Sequence, residues 1–171
     1  VLIFRSAMNE LRKTRSKSSA VQLARVERVL EINTDTLKPN SFRNTKISSG
    51  IRTSARRTPN KISLSMGDQQ VTYRNLVSRL NKVAVAGLDG LGLCKGDHVA
   101  LFSSNCIEFI EIVVGLADVG IATAMIPPSV TVPEVEHICN DSKSKVLFCH
   151  SSLEDVARSA RLETVKKIIV I

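Results

Sequence analysis

Cysteine and histidine residues lie close together at three places in this sequence, and such side chains can bind metals or act as thiol nucleophiles. The pairs are Cys94 with His98, His137 with Cys139, and Cys149 with His150. Residues two positions apart on a helix point about 200° apart, and neighbouring residues on a strand face opposite sides of a sheet. Neither of the last two pairs can therefore share a metal ion. We expect reduced thiols in buried or partly buried structural roles, and we assign no metal-binding residue.

Three glycine-containing motifs that bind nucleotides or activate a nucleophile do not occur in the sequence. Gly87, Gly90 and Gly92 have the reverse of the G-x-G-x-x-G spacing, and they follow a predicted helix where that motif must precede one. Neither G-x-x-x-x-G-K-[ST] nor G-x-S-x-G is present. The sequence therefore argues against a dinucleotide site, a Walker-type phosphate site and a hydrolase nucleophile. We assign no catalytic and no cofactor-binding residue, and we expect this segment to bind no cofactor by itself.

Helix starts that follow strands are the remaining places where chemistry could occur. Capping pairs predict helices that begin at Asn105 with Glu108, at Thr131 with Glu134, and at Ser152 with Asp155. The helices that begin at Asn105 and Thr131 start at the carboxyl ends of predicted strands, where α/β sheets place ligands and where free backbone N–H groups could receive an anion. Every helix of such a fold shares this geometry, so it identifies no particular ligand.

The elements that position these residues alternate between strand and helix. Short apolar strands are predicted at residues 98–102, 121–126, 145–149 and 167–171, with helices between them. This alternation predicts an α/β fold with a mostly parallel sheet flanked by helices. Before it, Ile47, Ile51 and Ala55 predict a helix that Pro59 closes, residues 61–72 predict a hairpin turning at Gly67, and Thr72 caps a long helix ending near Gly90. Gly96 and Asp97 are predicted turn residues, with a positive φ at Gly96.

The positive charge of the chain is concentrated in its N-terminal third. The net charge is +8 over 171 residues, but residues 1–57 carry 13 basic and 4 acidic side chains, and the rest carry 11 and 12. We therefore expect a basic, largely irregular and mobile extension at 1–45 and a folded subdomain at 46–171 that is truncated at its C-terminal end. Without interleaved aromatic residues, the extension favours a membrane surface or organelle targeting over nucleic acid.

Two exclusions follow from the same inspection of the sequence. No run of 18 apolar residues exists, which argues against a transmembrane helix. Four cysteines without a C-x-x-C pair and without a signal peptide favour an intracellular protein. We expect it to be cytoplasmic or peripheral to a membrane, with organelle targeting by the basic N-terminus left open.

Residues 55–150 resemble the opening segment of the AMP-forming acyl-CoA synthetases, within the adenylate-forming superfamily. Six blocks in the family's order carry the resemblance: A-x-x-x-P-N-K-I from Ala55, V-T-Y-R-N-L from Val71, G-L-C-K-G-D-H-V-A-L from Gly92, N-x-x-E-F from Asn105, the stretch from Gly120 through Val135, and N-D-S-x-x-K-V-L from Asn140. Departures include Asn75 for the family's Glu, His98 for Arg, and Met125, Pro127 and Ser129 for Pro, Asn and Arg. They weaken the subfamily assignment more than the superfamily one.

The resemblance implies a parent enzyme that joins a fatty or aryl carboxylic acid to AMP from ATP, with Mg²⁺, and then transfers the acyl group to coenzyme A. The family's phosphate loop ending in Pro-Lys-Gly, its adenine motif, its ribose-binding Asp and its C-terminal Lys all lie downstream of the matched blocks, and the sequence contains none of them. This predicts an inactive N-terminal portion whose partner is the remainder of its own chain. Asp97 and Glu108 are interpreted as a turn residue and a capping partner. The alternative is a non-catalytic α/β binding module whose basic arm contacts a membrane or nucleic acid.

Overall fold

In a computed structural model of the chain, residues 45–171 are described, and residues 47–171 form one unit. Its first elements are helix α1 (Ser49–Arg57), the antiparallel strands β1 (Ile62–Met66) and β2 (Gln69–Thr72), and helix α2 (Tyr73–Val85) with a π-helical turn after it (Ala86–Gly90). The hairpin turns at Gly67, where φ is +54°, as the sequence predicts. Helix α1 begins later than predicted, so Ile47 precedes it and is 64% exposed.

A four-stranded parallel sheet follows, with strands separated by helices. The order along the chain is β3 (His98–Phe102), α3 (Ile107–Ala117), β4 (Ala122–Ile126), α4 (Val132–Asp141), β5 (Val146–Cys149), a 3₁₀ turn (Ser151–Leu153), α5 (Glu154–Ser159) and β6 (Lys167–Val170). In the sheet the strands lie in the order β4-β3-β5-β6, and every neighbouring pair is parallel. The predicted α/β class and parallel sheet are confirmed.

Helices cover both faces of this sheet. Chain direction across the sheet reverses after β4, and right-handed crossovers therefore place α3 on one face and α4 on the other. The face under α4 and α5 forms a cluster that includes Phe102, Leu147 and Val135, all fully buried. Val99 and Leu101 alternate with these residues on β3 and point to the other face, where they are also fully buried. The central strand is thus apolar on both sides, as parallel sheets require.

A tight turn before β3 fixes the start of the sheet. Gly96 has a φ of +92°, which confirms the prediction for this position, and its N–H donates to the Gly120 carbonyl at 2.8 Å. The prediction for the basic extension concerns residues 1–45, of which residues 1–44 lie outside the described residues. Among the helices of residues 45–171, none has the length and apolar character needed to cross a membrane.

Candidate functional site

The carboxyl ends of β3 and β5 form the topological switch point of the sheet. The chain leaves β3 toward β4 on one side, and it returns from β4 to β5 on the other side of β3. In open α/β sheets, ligands bind outside the carboxyl ends of the strands at such a point. The backbone N–H of His150 donates to the Phe102 carbonyl at 2.9 Å, so the loops that follow the two strands start side by side. These loops, residues 103–106 and 150–152, are the candidate site.

Two polar side chains of the first loop, those of Ser103 and Cys106, form hydrogen bonds within the loop and with the start of α3, while Ser104 and Asn105 are exposed. Ser103 is buried, and its hydroxyl donates to the Ser104 carbonyl at 2.7 Å. The Sγ of Cys106 accepts from the Phe109 N–H at 3.3 Å, so Cys106 is the N-cap of α3. The predicted Asn105–Glu108 capping pair is therefore wrong. Cys106 has the extended conformation that an N-cap needs, and a thiol is an uncommon cap that a search for Ser, Thr, Asp or Asn passes over.

A histidine organises the second loop. Nδ1 of His150 accepts from the Ser152 N–H at 3.2 Å and lies 2.8 Å from the Ser152 hydroxyl. Because Nδ1 is the acceptor, the neutral imidazole carries its hydrogen on Nε2. The predicted Ser152–Asp155 cap is wrong, since His150 caps a 3₁₀ turn here and α5 begins only at Glu154. This half-buried imidazole, whose Nε2–H has no hydrogen-bond acceptor among residues 45–171, is a polar group at a strand end that a ligand could contact.

The loop after the edge strand β4 has the predicted capping box. The N–H and the hydroxyl of Thr131 both donate to Oε2 of Glu134 at 2.7 Å. These hydrogen bonds, the one from the backbone N–H first, lower the pKa of Glu134. The start of α4 is thus already supplied with a carboxylate from its own chain. This helix start is correspondingly less available to an external anion than the geometry alone would predict.

Asp97 lies at the amino end of β3, at the opposite end of the strands from the switch point. Its Oδ2 accepts from the Cys94 N–H at 2.8 Å, and its Oδ1 lies 2.7 Å from the ammonium of Lys145. The hydrogen bond from Lys145 and then that from Cys94 lower the pKa of Asp97. The prediction that Asp97 is a turn residue is confirmed, and its position separates it from any ligand at the carboxyl ends of the strands.

In the pairs His137–Cys139 and Cys149–His150, the structure separates the cysteine from the histidine, as the spacing predicts. Cys139 and Cys149 are buried free thiols, whereas His137 is exposed on α4. Burial raises the pKa of Cys139 to about 11 and also raises that of Cys149, which keeps both thiols protonated at neutral pH. Within residues 45–171, no three histidine, cysteine or carboxylate side chains are grouped as a metal site requires.

Cys94 departs from the prediction that the thiols are buried or partly buried. It is an exposed free thiol in the turn before β3, and Cys106 is half-buried. Within this turn the backbone N–H of Cys94 donates to Oδ2 of Asp97.

Two ion pairs between helices were not predicted from the sequence. Arg52 Nη2 on α1 donates to Asp118 Oδ2 at 2.6 Å and to Asn81 Oδ1 at 2.9 Å, and Ser48 Oγ also donates to Asp118 Oδ2. On the neighbouring helices, Arg79 Nη1 donates to Glu111 Oε1 at 2.9 Å.

Burial raises the pKa of Glu111, the hydrogen bond from Arg79 opposes this, and the paired carboxylate is 6% exposed. These pairs supply hydrogen bonds to Oδ2 of Asp118 and Oε1 of Glu111 inside the helical layer, whereas Oδ1 of Asp118 is buried without a hydrogen-bond partner among the described residues. Their position under the helices makes them part of the scaffold.

Comparison with known proteins assigns the fold to a family. Residues 51–171 match the AMP-binding enzyme family. The chain is 38% identical over 81 residues to the long-chain-fatty-acid–CoA ligase FadD13 of Mycobacterium tuberculosis, covering 47% of this chain and 16% of the ligase. A crystal structure of the anthranilate CoA ligase AuaEII with anthranoyl-AMP superimposes with a TM-score of 0.67 at 28% identity, covering 71% of this chain and 24% of that one.

A crystal structure of the N-terminal domain of FACL13 from M. tuberculosis gives a TM-score of 0.67 at 28% identity, covering 74% of this chain and 34% of that one. The match covers 53% and 51% of the length of the first two curated relatives, so the chain spans about half of their length. The resemblance seen in the six sequence blocks is thus confirmed by the matched residues and by the parallel sheet. The chain belongs to the AMP-binding enzyme family.

Proposed function

We propose that this chain is the N-terminal portion of an ATP-dependent acid–CoA ligase, which forms an acyl-adenylate and then an acyl-CoA. The observation that carries the proposal is the family match over residues 51–171, which includes the parallel sheet and its switch point. The parent would use ATP, Mg²⁺ and coenzyme A, and the present chain alone would be inactive.

The described residues do not fit ATP and Mg²⁺ as a complete site. Mg²⁺ in nucleotide sites is held by one or two carboxylates and by the phosphates. At the carboxyl edge of the sheet, however, the carboxylate of Glu134 is engaged with Thr131. The sequence also contains no glycine-rich phosphate loop. Stabilising charge on a transferring phosphoryl or adenylyl group needs donors and cations that are already in place. In this proposal the rest of the parent chain supplies them.

The part played by the present chain is structural. At the switch point the loop that begins with His150 starts beside the loop that contains the buried Ser103, and the two strands before these loops are paired through their backbones. Two ion pairs join α1 and α2 to α3, and the capping box fixes the start of α4. A rigid sheet edge of this kind would hold one wall of a ligand crevice, and none of its residues needs to exchange a proton in the reaction.

The substrate class follows from what the relatives are said to act on. FadD13 is a long-chain fatty acid ligase, and AuaEII is an anthranilate ligase. We therefore propose a fatty or aryl carboxylic acid as the substrate of the parent. Both matches involve at most a quarter of the other chain, so this segment does not favour one of the two classes.

The test compares pyrophosphate release by the 171-residue chain and by the chain extended through its natural reading frame. We expect release only from the extended chain, and only when ATP, Mg²⁺ and a fatty or aryl acid are all present. Coenzyme A should then convert the bound adenylate to a thioester. Activity in the short chain would refute the role assigned to the missing motifs.

An extended chain that is inactive with a broad panel of acids would favour the alternative, a non-catalytic α/β module. Reading the coding DNA beyond Ile171 gives an independent discriminator. A frame that continues into a phosphate loop supports the ligase, and an immediate stop codon supports the module. The excess of basic residues in 1–57, 13 against 4 acidic ones, is the feature that such a module would use on an anionic surface.

A further inference from the structure

The first elements of the folded unit carry a large excess of positive charge. Residues 45–75 contain six basic side chains and one acidic side chain, whereas residues 76–171 contain nine and eleven. The single acid is Asp68, in the turn of the β1–β2 hairpin. The length of β1 separates Asp68 from Lys61 by about 16 Å. This distance exceeds the screening length of about 8 Å at physiological salt, so Asp68 does not neutralise the basic side chains at the other end of β1.

Three of these basic residues have no acidic partner among residues 45–171. Arg57 ends α1, Lys61 precedes β1, and Arg74 is the second residue of α2. All three are exposed. The ion pairs of the described residues are formed by other cations, which are Arg52, Arg79, Lys145 and Arg158. Cations that lie close together without an acid repel one another, and a bound anion would offset this repulsion.

Backbone hydrogen bonds bring these cations together from separate segments. Residues 58–61 form a turn that is closed by the Lys61 N–H, which donates to the carbonyl of residue 58 at 3.1 Å. Pro59 occupies the second position of this turn, where its fixed φ is favourable. The start of α2 is held against the turn, because the Tyr73 N–H donates to the Lys61 carbonyl and the Arg74 N–H donates to the Pro59 carbonyl, both at 3.0 Å. The end of α1, the turn and the start of α2 therefore form one connected frame.

We propose that Arg57, Lys61 and Arg74 form a binding site for a phosphomonoester group, carried by a soluble molecule or by a lipid headgroup. We call these three residues the cationic site. A phosphomonoester presents three acceptor oxygens and up to two negative charges, whereas a carboxylate presents two oxygens and one charge. Three cations on one frame therefore suit the phosphate better. Each guanidinium can donate two parallel hydrogen bonds to phosphate oxygens, and the lysine adds a point charge.

The cationic site is separate from the candidate loops 103–106 and 150–152, and the proposal does not depend on the proposed function. The first two backbone N–H groups of α2, those of Tyr73 and Arg74, already donate to carbonyls of the turn. The N–H of Asn75 donates to the Thr72 hydroxyl. Side chains, and not the backbone at the helix start, would therefore hold the phosphate.

The sequence supplies its own reporter for the experiment. The chain contains one tyrosine and no tryptophan, so its tyrosine emission arises from Tyr73 alone. This residue precedes Arg74, and its N–H contacts the Lys61 carbonyl. The 171-residue chain is titrated with inorganic phosphate at constant ionic strength while Tyr73 emission is measured. Two further titrations use phosphatidylcholine vesicles with and without phosphatidic acid, a lipid whose headgroup is a phosphomonoester.

We expect a saturable change in emission with a midpoint of about 1–10 mM inorganic phosphate, because exposed charge pairs are individually weak. Arg57→Gln, Lys61→Gln and Arg74→Gln should each weaken binding about two- to fivefold, and the triple variant should lose saturation. Because the three side chains are exposed, the thermal midpoints should stay unchanged. Lys82→Gln, an exposed cation in the last turn of α2, is the matched control and should bind like the wild type.

A change in emission that rises linearly with phosphate would indicate collision without binding and would overturn the proposal. Equal midpoints for the wild type and the triple variant would overturn it too, as would an equal response to vesicles with and without phosphatidic acid. The two sources of the phosphate are distinguished by their midpoints. Saturation by phosphatidic acid at a concentration at least tenfold below that of inorganic phosphate would identify the lipid headgroup as the ligand. A midpoint for the vesicles that is no lower would identify a soluble phosphate ester.

Discussion

The carboxylate of Asp97 and the ammonium of Lys145 are 2.7 Å apart, and this ion pair joins the turn before β3 to the residue before β5. The backbone of Lys145 repeats the connection, since its N–H donates to the His98 carbonyl at 2.9 Å. The central strands β3 and β5 are thus joined at their amino ends, opposite the switch point. The register that brings His150 beside Phe102 is fixed from both ends of the sheet.

This ion pair predicts a specific dependence of stability on acid. Because the hydrogen bonds from Lys145 and Cys94 lower the pKa of Asp97, the folded state holds the carboxylate in its charged form more strongly than the unfolded state. The stabilisation is complete above the unfolded pKa of about 4, and it is lost as the pH falls through the lower folded value. Asp97→Ala should therefore reduce stability at pH 7 and flatten its decline toward pH 3.

The measurement is urea unfolding of wild type and variant at several pH values between 7 and 3. Asp141→Ala, which removes an exposed carboxylate at the end of α4, is the control and should leave the shape of the curve unchanged. A curve for Asp97→Ala that runs parallel to that of the wild type would contradict the assigned role.

Much of this fold could be predicted because its signals are local. The β3 strand, the turn at Gly96 and the Thr131–Glu134 box depend on residues within a few positions of one another, and the structure contains all three. The helix starts at Cys106 and His150 were missed for a chemical reason. Both caps use side chains that are rarely caps, a sulfur atom and an imidazole nitrogen.

The sequence predicts a possible ligand position at the strand end before Asn105, but it could not predict that the loop at His150 lies beside it, because this depends on the order of strands in the sheet. Nothing local in residues 98–102 and 146–149 indicates that β3 and β5 are neighbours, and the pairing that places His150 beside Phe102 spans almost fifty positions. The ion pair between Arg52 and Asp118, 66 positions apart, was missed for the same reason. Long-range pairing is decided by the packing of whole elements.

Gly115 marks the closest approach of α2 and α3. A Cβ at this position would lie 2.8 Å from the Val83 Cβ and 2.9 Å from the Leu80 carbonyl oxygen. Replacing glycine by alanine within a helix ordinarily stabilises by roughly 0.5–1 kcal/mol. Here we expect Gly115→Ala to destabilise the protein, because overpacking against backbone costs about 1–3 kcal/mol.

The matched substitution is Gly50→Ala in α1, where no atom of the described residues lies within 4 Å of the added methyl group. It should be neutral or stabilising by up to about 1 kcal/mol. Free energies of unfolding from urea titrations decide the sign for each variant. If Gly115→Ala were as stable as Gly50→Ala, the close packing of α2 on α3 would be wrong.

The Thr131 cap should contribute measurably to the stability of α4. Its hydroxyl and N–H both contact the Glu134 carboxylate, and loss of such a cap typically costs about 1 kcal/mol. We expect Thr131→Ala to lower the free energy of unfolding by about that amount and Thr131→Ser to restore it, since serine keeps the hydroxyl. Equal unfolding midpoints for the alanine and serine variants would show that the hydroxyl has no role.

The four thiols should react in an order set by exposure and by pKa. The thiolate is the reactive form, so burial protects a cysteine both by blocking access and by keeping it protonated. Cys94 is exposed and Cys106 half-buried, while Cys139 and Cys149 are buried with raised pKa values. In the native chain at neutral pH, a thiol-specific chromogenic reagent should modify Cys94 first and Cys106 more slowly. Cys139 and Cys149 should react only after unfolding. Cys94→Ser should remove the fast phase without changing the total of the later phases. A fast phase that persists in this variant would show that Cys94 is not the first thiol to react and would contradict the order set by exposure.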